Sequence, residues 1–168
     1  MSAHILGLDL SLTAPGMAMI DGEEVLKPKT TGTQRLILIR DWVLLGAGSR
    51  TRIAVLEGYS YASKDSHAHS LGELGGVVKV ALAERDIDVC VVEPKVLKKF
   101  ATNNGNAGKP DMLDAARNAG YEGSNNDNAV DAWWLRQFGL AITGERGVEL
   151  HAYRVAVVDA WHKRKEAA

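Results

Sequence analysis

Acidic residues close two of the short apolar runs in this chain. Asp9 follows Ile5-Leu-Gly-Leu8, and Glu57 follows Arg52-Ile-Ala-Val-Leu56. Runs of this length and composition predict buried β-strands. A carboxylate at the end of a buried strand carries a desolvation cost that packing does not offset. The two acids therefore favour a fold that brings these strand ends together around bound cations.

A third acidic cluster lies on a predicted helix, in Asp127-Asn-Ala-Val-Asp131. Residues three and four apart share a helix face, so Asp127 and Asn128 can each lie beside Asp131. Carboxylate oxygens are the ligands that Mg²⁺ prefers. We predict a magnesium site held by Asp9, Glu57, Asp127 and Asp131, with Asn128 as a neutral alternative ligand. Two such ions are suited to phosphodiester hydrolysis, because they activate the attacking water and stabilise the leaving oxygen.

The order of the predicted elements indicates one mixed α/β sheet. An antiparallel meander comes first, with a hairpin turn at Asp21-Gly22, and strands then alternate with helices. This is a ribonuclease H-like arrangement of five strands with helices on both faces, in a single domain over residues 1–168. The predicted strands are 5–10, 17–20, 25–26, 52–56 and 87–92; the predicted helices are 33–45, 71–85, 95–101, 111–118, 126–140 and 152–165.

Composition excludes several classes of protein. Although 46% of the 168 residues are hydrophobic, no uninterrupted apolar run reaches the ~18 residues of a membrane span. The N-terminus lacks the features of a signal peptide, and Cys90 is the only cysteine. We expect a soluble cytoplasmic protein. The net charge of −1 argues neither for nor against a nucleic-acid partner.

Basic residues are unevenly distributed along the chain. No acid occurs between Glu93 and Asp111, whereas four lysines do. We predict that three of them, Lys98, Lys99 and Lys109, bind DNA phosphates. A second cluster, His162-Lys-Arg-Lys165, is interpreted as a solvated helix face.

Several motifs together resemble one enzyme family. Gly7-Leu-Asp-Leu-Ser-Leu-Thr-Ala-Pro-Gly16 resembles the opening strand and turn of RuvC-type Holliday-junction resolvases. The resemblance implies that Asp9, Glu57 and Asp131 are catalytic. The stretch from Pro94 to Lys109 is similar to the basic segment by which that family holds junction phosphates. The compact form resembles phage-encoded members, which act in the host cytoplasm.

The resemblance also implies a cofactor and partners. It implies Mg²⁺, for which Mn²⁺ can substitute, and four-way DNA junctions that a homodimer cuts by paired symmetric nicks. The predicted helix 71–85 corresponds to the two-fold interface of the family, and its Gly75 and Gly76 allow close approach.

The chain departs from the family pattern at two positions. Asn128 stands where an aspartate or histidine is usual, and Asp127 can substitute for it. Ser60 stands where an aromatic residue is frequent, but Tyr59 or Tyr61 beside it can stack on an exposed base.

Two other functions are consistent with the sequence. Actin-like sugar kinases and chaperone ATPases also carry Asp-Leu-Ser-Leu-Thr near their start, although they need two such domains to enclose a nucleotide, so a phosphotransferase fragment is the less favoured of the two. A non-catalytic branched-DNA-binding or packaging protein would have a site degraded at Asn128. Metal-dependent cleavage distinguishes both from a nuclease.

Overall fold

Five strands form one mixed sheet with the order β3-β2-β1-β4-β5. The computed structural model describes residues 4–58 and 66–167. The strands are β1 (His4–Asp9), β2 (Gly16–Met19), β3 (Gly22–Val25), β4 (Thr51–Glu57) and β5 (Asp88–Val92). The first three pair antiparallel, whereas β1–β4 and β4–β5 pair parallel. The predicted mixed sheet is confirmed. Because β1 and β4 are parallel neighbours, Asp9 and Glu57 lie at their carboxyl ends on the same side of the sheet.

Helices cover both faces of the sheet, as predicted. The described residues contain α1 (Gly32–Ala47), α2 (Ser66–Ala83), α3 (Pro94–Thr102), α4 (Lys109–Asn118), α5 (Asp127–Ile142) and α6 (Ala152–Glu166). Successive strand residues point to opposite faces. Leu6, Leu8 and Leu56 therefore pack against α1 and α2, while Ile5 and Val55 face the layer formed by α3 to α6. No helix in these ranges is long and apolar enough to cross a bilayer.

Most predicted boundaries differ from the observed ones by one or two residues, and three differences have a clear cause. Helix α2 begins at Ser66 and not at residue 71, because residues 66–70 are mostly polar but include no glycine or proline that would prevent a helix. Helix α1 begins at Gly32, after Thr31 rather than after Thr33. The first hairpin turn consists of residues 20–21, since Met19 already pairs with Gly22.

Glycines let α5 lie directly against the sheet. A Cβ atom on Gly7 would overlap the carbonyl oxygen of Ala132 and lie 2.6 Å from the backbone nitrogen of Arg136. A Cβ atom on Gly16 would overlap the carbonyl oxygen of Asn128. Glycine inside a strand often marks such a close approach of two backbones. These contacts fix the height of α5 above β1 and β2.

Arg154 joins α6 to the end of α3. This side chain is 4% exposed. Its Nε donates to the Phe100 carbonyl at 3.1 Å and its Nη2 to the Ala101 carbonyl at 3.3 Å. Its Nη1 donates to the Glu149 carbonyl at 2.6 Å. The guanidinium thus satisfies carbonyls that the last turn of a helix leaves without a partner, and it fixes α6 against α3.

Candidate active site

Four carboxylates lie near one edge of the sheet. Asp9 ends β1 and Glu57 ends β4, on the face that α5 covers. Asp127 and Asp131 lie in the first turns of α5. The charges of Glu57 and Asp131 act on Asp9, and the charge of Asp127 acts on Asp131. The structure therefore brings together the four acids that the sequence predicted as ligands.

Burial is the main influence on three of these acids. It raises the pKa of Asp9 to about 8, with smaller contributions from Asp131 and Glu57. Burial and then the charge of Asp131 raise the pKa of Glu57 to about 7. Burial and then the charge of Asp127 raise the pKa of Asp131 to about 6. Burial and repulsion together outweigh the nearby positive charges, and a bound cation would relieve both.

The oxygen ligands of these acids suit a hard divalent ion, although the side chains do not surround a metal position in this structure. Within residues 4–58 and 66–167, no group of three or more His, Cys, Asp or Glu side chains is placed to hold a metal ion. The acids nevertheless interact electrostatically, and all their donors are oxygens, as Mg²⁺ requires. Metal binding would therefore need these side chains to lie closer to one another than they do.

Asp127 and Asn128 differ in their surroundings. The Asp127 Oδ2 atom lies 2.7 Å from the Lys109 Nζ atom. The backbone N–H of Asn128 donates to the Asn126 side chain, which caps α5, and the Asn128 carbonyl lies over Gly16. Asp127 therefore belongs to the charged cluster, whereas Asn128 contacts the cap of α5 and the backbone at Gly16.

Two lysines flank the acids. The charge of Lys98, on α3, lowers the pKa values of Glu57 and Asp131. The charge of Lys109, at the start of α4, acts in the same way on Asp9 and Asp131. Both positions agree with the basic segment predicted from the sequence.

The other predicted DNA contacts are placed differently. Lys99 is exposed and follows Lys98 directly on α3, so the two side chains leave the helix about 100° apart. It is not among the charges that act on the carboxylates. Tyr59 and Tyr61 lie outside the described residues, so their predicted stacking role stays a prediction.

Sequence analysis missed the residues that hold the acids in place. Gly7 and Gly16 admit α5 against the sheet, and Asn126 caps the helix that carries Asp131. Each had a sequence signal. Glycine within a strand indicates close backbone approach, and asparagine before an amphipathic run is a preferred N-cap.

We expect the metal-free protein to lose stability as the pH rises from near 4 to about 8. The folded state keeps protons on Asp9, Glu57 and Asp131 up to a higher pH than the unfolded chain does. Unfolding then releases protons, so the free energy of unfolding falls as the pH rises through this window. Thermal unfolding in chelator at pH 5, 6, 7 and 8 measures the effect.

The Asp9→Asn variant is the control for this prediction. It should show a flatter pH dependence and a higher Tm than the wild type at pH 8. Added Mg²⁺ should raise the Tm of the wild type more at pH 8 than at pH 5. Parallel pH dependences for the variant and the wild type would contradict the assignment.

Comparison with known proteins identifies the fold. No protein-family model and no curated protein sequence matches the chain. The structure of Thermus thermophilus RuvC matches with a TM-score of 0.70 and 20% identity, over 87% of this chain and 99% of that one. The T. thermophilus RuvC structure in complex with a Holliday junction substrate matches with a TM-score of 0.70 and 19% identity, over 88% and 100%. The chain therefore has a ribonuclease H-like fold of the RuvC type.

Proposed function

We propose that this chain is a metal-dependent endonuclease that resolves four-way (Holliday) DNA junctions in the cytoplasm. The observation that carries the proposal is the group of interacting, partly buried acids Asp9, Glu57 and Asp131 with Lys98 and Lys109 beside it. An acidic centre flanked by cations suits a phosphodiester, because the cations attract the backbone and the acids hold metal at the scissile bond. The RuvC structure bound to a Holliday junction supports the choice of substrate.

The metal ligands in this proposal are Asp9, Glu57, Asp131 and Asp127. A charged oxygen binds a hard cation better than an amide does, so Asp127 completes the set in preference to Asn128. Mg²⁺, or Mn²⁺ in its place, supplies an activated water and stabilises the leaving oxygen when bound. The chain itself orients the acids through β1, β4 and α5 and positions phosphates through Lys98 and Lys109.

Cleavage of defined DNA substrates tests the function. A labelled four-way junction, a flap and a linear duplex are incubated with the protein in Mg²⁺ or in chelator. We expect symmetric nicks in the junction, little cleavage of the duplex and none in chelator. Equal cleavage of all three DNAs would contradict junction selectivity.

A non-catalytic junction-binding protein is the alternative. The observation that favours it is that the described acids do not enclose a metal site as they stand. Junction binding without cleavage in either Mg²⁺ or Mn²⁺ would establish this alternative.

We expect Lys98→Ala and Lys109→Ala each to weaken junction binding. In each variant, the slope of the logarithm of the binding constant against the logarithm of the salt concentration should become shallower by about one unit. Each variant removes one cation beside the acids. Lys99→Ala should have a smaller effect, and Arg50→Ala, which removes an exposed charge before β4 at the opposite edge of the sheet, should have none. Binding is measured in chelator over a salt series. An unchanged slope in both variants would make Lys98 and Lys109 ordinary surface lysines.

Paired nicking requires two sites, and we propose a two-fold dimer through α2. Gly75, which the sequence predicted at this interface together with Gly76, is buried and is therefore not part of it. Gly72, Gly76 and Val80 lie on one exposed face of the helix at spacings of four residues. Val80 is 60% exposed, and a Cβ atom on Gly72 or Gly76 would meet nothing within 4 Å. The face is thus open to a symmetric partner.

We expect Gly76→Arg to convert the dimer to a monomer, because its side chain would stand between the two copies of α2. Sedimentation at micromolar concentration compares it with the wild type. Ala156→Arg, which adds the same charged side chain at an exposed position of α6 on the other face of the sheet, is the control. A wild-type monomer that still makes paired nicks would contradict the dimer.

A further inference from the structure

The basic end of α6 extends beyond the core that the helix packs on. Inward-facing residues of α6 recur at spacings of three or four: Arg154, Val157, Val158 and Trp161. The same stripe continues to Arg164 and Lys165, three and four residues beyond Trp161. Both are exposed. The stripe that buries apolar groups therefore ends in two cations that project past the core.

These cations lie beside the edge that carries the candidate active site. The Arg164 Nη1 atom lies 3.5 Å from the Glu93 Oε1 atom. Glu93 directly follows Val92, and Val92 pairs with Glu57 on the neighbouring strand. Adjacent strands are about 4.8 Å apart. Arg164 thus lies beside the carboxyl end of β5. This is the strand next to β4, and it ends on the same side of the sheet as the acids.

The position of the cations is fixed by packing. Arg154 anchors the start of α6 to α3, and the Trp161 ring contacts Phe138 with centroids 6.0 Å apart. The Lys165 Nζ atom lies 5.6 Å from the centre of the Trp161 ring. Cations in a last helical turn also stabilise the helix itself, but this effect does not require them to lie beside β5. Packing therefore places the last turn of α6, which carries both charges, next to β5.

We propose that Arg164 and Lys165 form a second phosphate-contact surface, which binds the backbone of a DNA arm that leaves the active site across β5. The proposal rests on the proposed function. Lys98 and Lys109 contact the phosphates at the site, and Arg164 and Lys165 extend the basic surface outward along the same arm. Glu93 holds Arg164 when DNA is absent and competes with phosphate for it. The cluster interpreted from sequence as a solvated face thus becomes part of the interface.

The test compares three variants with the wild type in chelator. Arg164→Gln/Lys165→Gln removes two cations from the surface. Arg50→Gln/Arg146→Gln removes two exposed cations at the opposite end of the sheet, before β4 and after α5. Glu93→Gln removes the competing acid, whose side chain does not cap α3. Dissociation constants for a four-way junction and for a linear duplex are measured over a salt series, and thermal unfolding checks that each variant folds.

We expect the Arg164→Gln/Lys165→Gln variant to bind the junction about tenfold more weakly at low salt, with a salt slope reduced by about two units. The control pair should bind like the wild type. Glu93→Gln should bind more tightly than the wild type, and this gain should vanish when Arg164 is also replaced. The opposite signs separate a phosphate surface from a loss of fold.

Each outcome decides the proposal. An unchanged slope in the Arg164→Gln/Lys165→Gln variant, with junction cleavage intact in the wild type, would overturn the second surface and leave the proposed function standing. A wild type that cleaves no junction, but whose duplex binding shows the expected losses, would support the surface and reject the proposed function. A wild type that binds no DNA would overturn both.

Discussion

Replacing Asp9 by asparagine is expected to slow junction cleavage by about a thousandfold or more, which corresponds to about 4 kcal/mol. Asp9 has the highest pKa of the coupled acids, about 8, and it interacts with both Glu57 and Asp131. The amide keeps the shape of the side chain but removes a charged metal ligand. Single-turnover cleavage of a four-way junction in Mg²⁺ measures the loss.

Junction binding should change by less than about threefold, because phosphates are contacted by cations and not by these acids. The matched control is Asp88→Asn, the same change at the exposed opposite end of β5, which should cleave like the wild type. Thermal unfolding of Asp9→Asn, which we expect at a Tm no lower than that of the wild type, separates lost activity from lost fold. Cleavage within threefold of the wild type would disprove the assignment of Asp9.

Replacing Gly7 by alanine is expected to destabilise the fold by about 3 kcal/mol or more. The added methyl group would collide with the backbone of α5 at Ala132 and Arg136. Backbone atoms of a packed helix cannot rotate away as the end of a flexible side chain can. Urea unfolding of the wild type and the variant measures the difference.

Gly72→Ala is the control for this experiment. Gly72 also lies within a regular element, but a Cβ atom there would meet nothing within 4 Å. Alanine is the better helix former, so this variant should gain up to about 1 kcal/mol. If Gly7→Ala were as stable as the wild type, α5 would not rest on β1 as described.

The fold was largely predictable because its signals are local. Apolar runs such as residues 52–56 predict strands, and their order predicts a mixed sheet with parallel members. The early start of α2 was missed because its first residues, Ser66 to Ser70, are mostly of types that are also common in loops. The shift of the first hairpin turn depends on the pairing of Met19 with Gly22, which the turn residues alone do not determine.

The candidate site was predictable at the level of its acids but not of its surroundings. Asp9 and Glu57 could be placed together because parallel neighbouring strands end at one edge. Lys98 and Lys99 could not be separated by sequence, since their difference depends on how α3 is rotated on the sheet. The orientation of Arg164 towards Glu93 likewise depends on how Arg154 holds α6 against α3. Arg154 and its partners on α3 are more than fifty positions apart in the sequence, so local signals do not predict this contact.

The glycine contacts under α5 have a consequence for how freely such a sequence can change. Asp9 lies two residues after Gly7, and Asp131 lies one residue before Ala132, whose carbonyl rests on Gly7. The spacing of the two backbone segments that carry these acids is therefore set by the contact of the Ala132 carbonyl with Gly7. Apolar residues elsewhere in the core can be exchanged for others of similar volume without moving the acids relative to each other. Substitutions in the apolar core can therefore accumulate while the backbone positions of Asp9 and Asp131 stay the same.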